Sequence, residues 1–254
     1  MRPIIYDGSF DGLLTAVFEI YDRKIVDANI IPQRLETTSL FGGNIDIKTD
    51  KEKSSRVWKG LEQKLSHRAR LQLYKTFLSE INGIENVVYR YIRYAFATRY
   101  RIESDLANAD VNMVQQTSKK VHREKHRMEA FVRFQQLKDG LYYALVQPDY
   151  NVLPLISRHF EDRYADQRWL IYDSQRKYGI YYNLETVEEV QLLFSDQAPD
   201  GAPITALYDE KEDLYQRLWQ QYFSSVNIAA RKNTKLHLQH MPKRYWKNLV
   251  EKKG

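Results

Sequence analysis

Two aspartates, a serine and two glycines stand within one short stretch near the start of the chain, Tyr6-Asp7-Gly8-Ser9-Phe10-Asp11-Gly12. Carboxylates placed between an apolar run (Ile4-Ile5-Tyr6) and a following helix can act as general acid or base. The glycines leave the backbone free to approach a ligand. The same residue types also make an ordinary turn with Asp11 as a helix cap. The stretch lacks the full pattern of a P-loop or a dinucleotide fingerprint. A second cluster is His159, Arg163 and Asp166. On one helix the first two are i,i+4 and the third follows three residues on, so the group suits either a phosphate or a surface ion-pair ladder. Asp7, Asp11, His159 and Asp166 are thus the candidates for a catalytic role. No G-x-S-x-G, H-E-x-x-H or kinase set accompanies them, so no spacing compels an enzyme.

Charge is the sharper signal. The chain has 254 residues and a formal net charge of +6. Asn227 to Gly254 alone carries +7, and the other residues sum to −1. Localised positive charge with aromatic residues inside it is the footprint of a polyanion-binding surface. Arg231, Lys232, Asn233 and Lys235 form a basic polar stretch suited to successive phosphates, and His237 and Gln239 alternate with apolar residues after it. Pro242 can open a short helix that sets Tyr245, Trp246, Leu249 and Val250 against the domain. Lys243, Arg244 and Lys247 then face outward. A second basic region, Lys119 to Lys138, contributes Arg123, Arg127 and Arg133. His122 and His126 within it have the i,i+4 spacing of a zinc pair. Their cationic neighbours and the lack of a third ligand argue against a metal, and no cofactor is expected.

The elements that must position these residues follow from periodicity. A strand over Ile4–Tyr6 leads into a helix capped by Asp11 that carries Leu13, Leu14, Val17, Phe18 and Tyr21 on one stripe. Residues 22–43 read as irregular, and 44–49 as a strand. Asp50 caps a helix with Val57, Trp58, Leu61 and Leu65, and helices follow over 67–80 and 84–101. Asp110 caps a long helix to about Leu137 that Gly140 ends. Strands are predicted at 141–146, 169–173 and 178–182, the last two as a hairpin, with a strand or short helix at 187–190. A helix over 152–164 tolerates Pro154 in its first turn. Residues 195–205 read as a loop before an amphipathic helix carrying Leu207, Leu214, Leu218, Trp219 and Tyr222. The predicted class is α+β, with a central helical cluster, a small, largely antiparallel sheet near 141–190 and a basic helical C-terminus. A single domain over 1–254 is expected, with a possible subdivision at 138/139.

The chain has no cysteine, which removes disulfides, thiolate metal sites and cysteine nucleophiles. No signal-peptide pattern and no membrane-spanning run is visible, so a soluble cytoplasmic protein is expected.

Several blocks together resemble a known family. They are Tyr6–Leu14, Arg56–Leu61, His126–Phe134, Pro148–Leu155, Phe160–Tyr172 and Arg231–Trp246. The resemblance is to bacterial proteins of DNA metabolism or repair. Their domain of unknown function also occurs fused to uracil-DNA-glycosylase-like domains and is associated with a radical-SAM DNA-repair protein. It implies DNA as partner, and it supplies no catalytic residues. The chain shows no Gly-x-x-Pro-Gly motif, and without cysteine it holds no radical-SAM cluster, so either chemistry would belong to a partner. Three functions remain open: a DNA-binding accessory module for such a partner enzyme, a glycosylase-like nucleic-acid-processing enzyme, or a protein-interaction adaptor.

Overall fold

A computed structural model describes residues 2–35, 43–137, 140–191 and 241–249. The chain divides into two compact units, residues 1–122 and 123–254.

The first unit is built on a parallel three-stranded sheet in the order β2-β1-β3. Its strands are β1 (Arg2–Tyr6), β2 (Ala28–Pro32) and β3 (Ile45–Asp46). Parallel neighbours require a crossover. Helix α1 (Phe10–Asp22) supplies the one between β1 and β2. The strand at 28–32 corrects the irregular reading of 22–43. Its short Ala-Asn-Ile-Ile-Pro run has no alternation, and it becomes a strand by pairing with β1 and by holding the Asn86 side chain. That amide accepts from Ile30 N–H at 2.9 Å and donates to Ile30 C=O at 3.0 Å.

Three helices follow, α2 (Lys51–Lys64), α3 (His67–Phe77) and α4 (Ile84–Ala97). Asp50 caps α2 by accepting from Glu52 N–H at 2.9 Å and Lys53 N–H at 3.2 Å. Ile4, Leu13, Ile30, Leu61, Leu73 and Ile92 share the core. Phe10, the first residue of α1, has its ring 5.7 Å from Trp58, 5.0 Å from Tyr74 and 5.2 Å from Phe77. These contacts fix where the Asp7–Gly12 turn leaves the sheet.

Helix α5 (Ala109–Phe131) is capped by Asn108, whose side chain accepts from Asp110 N–H at 3.0 Å and Val111 N–H at 3.2 Å. Asp110, the expected cap, instead pairs with Arg90 at 2.7 Å. The helix ends at Phe131, short of the predicted Leu137, because the chain turns into β4 (Gln135–Gln136). There Phe134 joins an aromatic cluster with Phe160, Tyr164 and Trp169. Gly140, with φ of 80°, sits in the turn after β4 rather than at the helix end.

The second unit carries a sheet in the order β4-β5-β6-β7-β8. Its further strands are β5 (Tyr142–Val146), β6 (Trp169–Asp173), β7 (Tyr178–Tyr182) and β8 (Val187–Val190). Among the described strands of this sheet only β5 and β6 pair in parallel, and helix α6 (Leu153–Arg163) connects them. The other pairs are antiparallel, so the α+β reading with a largely antiparallel sheet near 141–190 holds. Every residue of β6 is buried, as a central strand requires. The hairpin turn is set by Asp173, fully buried, which accepts from Gln175 N–H at 2.9 Å and pairs with Arg176 at 2.8 Å. The predicted loop at 195–205 and the amphipathic helix after it lie outside the described residues.

Candidate functional site

The Asp7–Gly12 turn lies at the carboxyl ends of the parallel strands, beside the point where the order reverses from β1–β2 to β1–β3. Open parallel sheets bind ligands at such switch points. Both carboxyl oxygens of Asp7 are engaged. Asp7 Oδ1 accepts from Ser9 N–H at 2.9 Å and from the Ser9 hydroxyl at 2.7 Å, and Oδ2 accepts from the Thr49 hydroxyl at 2.7 Å. Burial alone would raise the Asp7 pKa, but the Thr49 and Ser9 hydrogen bonds outweigh it and hold the carboxyl below its ordinary range. Asp7 is therefore a fixed anion and not an acid poised to give up a proton.

Ser9, not Asp11, caps α1: its hydroxyl accepts from Gly12 N–H at 2.9 Å. Asp11 accepts instead from the Ser54 hydroxyl on α2. A methyl group on Gly12 would lie 2.2 Å from Asp7 Oδ1 and 2.8 Å from Thr49 Oγ1, so only glycine permits this packing. Next to Thr49 opens a cavity of about 430 Å³, lined among others by Glu19, Arg23, Asp46, Lys48 and Lys53. Glu19 pairs with both Arg23 and Lys53, while Lys48 and Asp46 make no ion pair among the described residues.

In the second unit the candidates of helix α6 do not form one cluster. The helix ends at Arg163, so exposed Asp166 lies beyond it. Arg163 stacks over Tyr164 at 5.7 Å, and His159 Nδ1 faces Glu129 at 3.9 Å. Glu129 also meets His126 Nδ1 at 3.2 Å, whereas His122 lies 3.3 Å from Lys75 in the first unit. Among the described residues no three metal-ligating side chains gather.

The tail supplies the most organised geometry. Residues 243–248 form a short 3-10 helix introduced by Pro242. Tyr245 and Leu249 are buried, while Lys243 and Lys247 are exposed and make no ion pair among the described residues. Arg244 is exposed as well, with 40% of its side chain accessible, but unlike the two lysines it is ion-paired. Its Nη2 donates to Glu124 Oε2 at 2.8 Å and pairs with Asp149 Oδ2 at 2.9 Å. Glu124 is 1% exposed. It also accepts from Asp149 N–H at 2.9 Å and from the Tyr245 hydroxyl. Burial and then the Glu124 contact push the Tyr245 hydroxyl pKa up, so it remains a donor. The Arg244 guanidinium also lies 4.6 Å from the Tyr245 ring centroid.

The expected basic residues of α5 divide in the same way. Arg127 approaches Glu124 at 3.7 Å, and Arg133 donates to Ala130 C=O at 2.7 Å, closing the helix end. Arg123 is exposed and makes no ion pair among the described residues. Arg231, Lys232, Asn233, Lys235, His237 and Gln239 lie outside the described residues.

Glu124, Asp149 and Tyr245 escaped the sequence reading as a group. The available signal was Glu124 itself, an acid placed among Arg123, Lys125 and Arg127.

Among the described residues no helix is long and apolar enough to cross a membrane. No curated protein matches the chain. Among solved structures it is similar to a pGpG-specific phosphodiesterase, PggH of Vibrio cholerae. That similarity has 13% identity and a TM-score of 0.31, over 71% of this chain and 80% of that one. The model of a domain of unknown function, DUF4130, matches residues 82–251, more than half of the chain, and the protein belongs to that family.

Proposed function

We propose that the chain is a nucleic-acid-binding accessory module that grips the phosphate backbone of DNA through its C-terminal region and serves a separate repair or modification enzyme. The carrying observation is the docked tail. Tyr245 and Leu249 are buried in the second unit, which holds Lys243 and Lys247 in solvent without acid partners among the described residues. The +7 charge of the last 28 residues adds the long-range attraction. The first unit supports an accessory role rather than a catalytic one. Ser9 and Thr49 hold Asp7 as an anion, and the Ser54 hydroxyl ties Asp11 to α2. The DNA-repair resemblance favours DNA as the polyanion and a radical-SAM or glycosylase-like enzyme as the partner.

The test is fluorescence anisotropy with short single- and double-stranded DNA across a salt series. Log K should fall linearly with log salt, by about 0.9 per duplex phosphate contacted. Absence of binding at low ionic strength, or binding indifferent to salt, overturns the reading.

A further inference from the structure

Among the described residues Arg244 is held at one nitrogen: Glu124, Asp149 and the Tyr245 hydroxyl all meet Nη2, and none meets Nε or Nη1. The two hydrogens of Nη2 go to Glu124 and the Tyr245 hydroxyl, so Asp149 is held by charge and the N–H groups of Nε and Nη1 are the ones that can meet an oxyanion. The two acids on Nη2 are not equivalent. The Glu124 side chain is 2% exposed and is bound by three other groups, whereas the Asp149 side chain is 48% exposed. Asp149 can swing into water at little cost, and Glu124 cannot.

We propose that Arg244 is a gated seat for one phosphate group of a nucleic acid, with Asp149 as the displaceable gate and Glu124 as the positioning residue. This rests on the polyanion reading above. The incoming phosphate takes the place of the Asp149 carboxylate beside the guanidinium and accepts from the N–H groups of Nε or Nη1. Glu124 keeps its hold, with the Tyr245 hydroxyl and the Asp149 backbone N–H, so the tail stays docked. Backbone contacts of this kind position a protein on nucleic acid without reading sequence. In the free protein Asp149 competes for the seat, so weak single anions are refused while a phosphate delivered by a strand already held at Lys243 and Lys247 is accepted.

The experiment compares labelled single-stranded DNA binding by wild type, Asp149→Asn, Asp162→Asn, Arg244→Lys and Lys243→Ala/Lys247→Ala at low salt. Asp162 is an exposed acid on α6, and its variant makes the same charge change as Asp149→Asn away from Arg244. Asp149→Asn should bind several-fold tighter and clearly tighter than Asp162→Asn. Arg244→Lys keeps the charge but loses the Nε and Nη1 donors, and should bind several-fold weaker at a temperature where its circular dichroism shows it as fully folded as wild type. The seat is overturned if Asp149→Asn only matches Asp162→Asn, or if Arg244→Lys matches wild type. If those results come while Lys243→Ala/Lys247→Ala still weakens binding, the polyanion reading stands without the seat. If wild type binds no DNA at low salt, both fall.

Discussion

Glu85 stands at the start of α4 with its carboxyl buried against the first unit's core. The Tyr6 hydroxyl donates to Oε1 at 3.5 Å, and Oε2 has no hydrogen-bond partner among the described residues. Burial raises its pKa above the ordinary 4.5, so the folded protein retains a proton that the unfolded chain has released. Between the unfolded and folded pKa values the native state binds more protons, and stability falls as pH rises, by about 1.4 kcal/mol per pH unit. Asp7 and Glu19 have the opposite sign. Their depressed pKa values make a contribution that is present above the unfolded values and lost as pH falls through the folded ones. Glu85→Gln keeps an acceptor for Tyr6 and removes the titration. It should gain stability relative to wild type as pH rises from 4.5, with the two nearly equal below that. Urea unfolding at a series of pH values measures this, and a parallel pH dependence of both proteins would contradict it.

At the scale of elements, what was legible in the sequence was local. The hairpin of β6 and β7 could be read because two β-rich runs flank a short polar turn, and the Asp50 cap because its partners are two and three residues on. Caps were misplaced by two residues at α1 and α5, where Ser9 and Asp11, or Asn108 and Asp110, compete and only geometry decides. Strand β2 was missed because a parallel strand is completed by partners brought from elsewhere, here β1 and the Asn86 amide. The same reason hid the Arg244 site, whose acids Glu124 and Asp149 lie far away in sequence. Asp173 shows how much such a local element can hold. It is fully buried, orders the β6–β7 turn, and pairs with Arg176, whose guanidinium also donates to Pro148 C=O at 3.1 Å and Asp149 C=O at 3.1 Å. Asp173→Ala leaves that cation in a buried place without its anion, which costs about 3–5 kcal/mol. Hydrogen exchange at the paired Ile171 and Ile180 should accelerate accordingly, and protection equal to wild type would show that the turn orders itself without the pair.

Over the whole molecule, charge and fold are separable. The chain's +6 arises from a tail of +7 against a remainder of −1, yet the apolar side of the same tail, Tyr245 and Leu249, fills the second unit's core. Truncating the tail therefore removes packing and charge together and cannot say which one binding needs. Reversing exposed cations does separate them. Lys243→Glu/Lys247→Glu removes four units of charge, taking the formal net charge from +6 to +2, and touches no buried group. Surface substitutions of this kind change stability by about 0.5 kcal/mol or less per site. The melting temperature should therefore stay close to wild type. Affinity for DNA should fall steeply at low salt, and the slope of log K against log salt should drop by about 0.9 for each of the two lost duplex phosphate contacts. A variant that melts early would place these lysines in the fold. One that binds with an unchanged slope would move the interface away from the tail and onto cations such as Arg123.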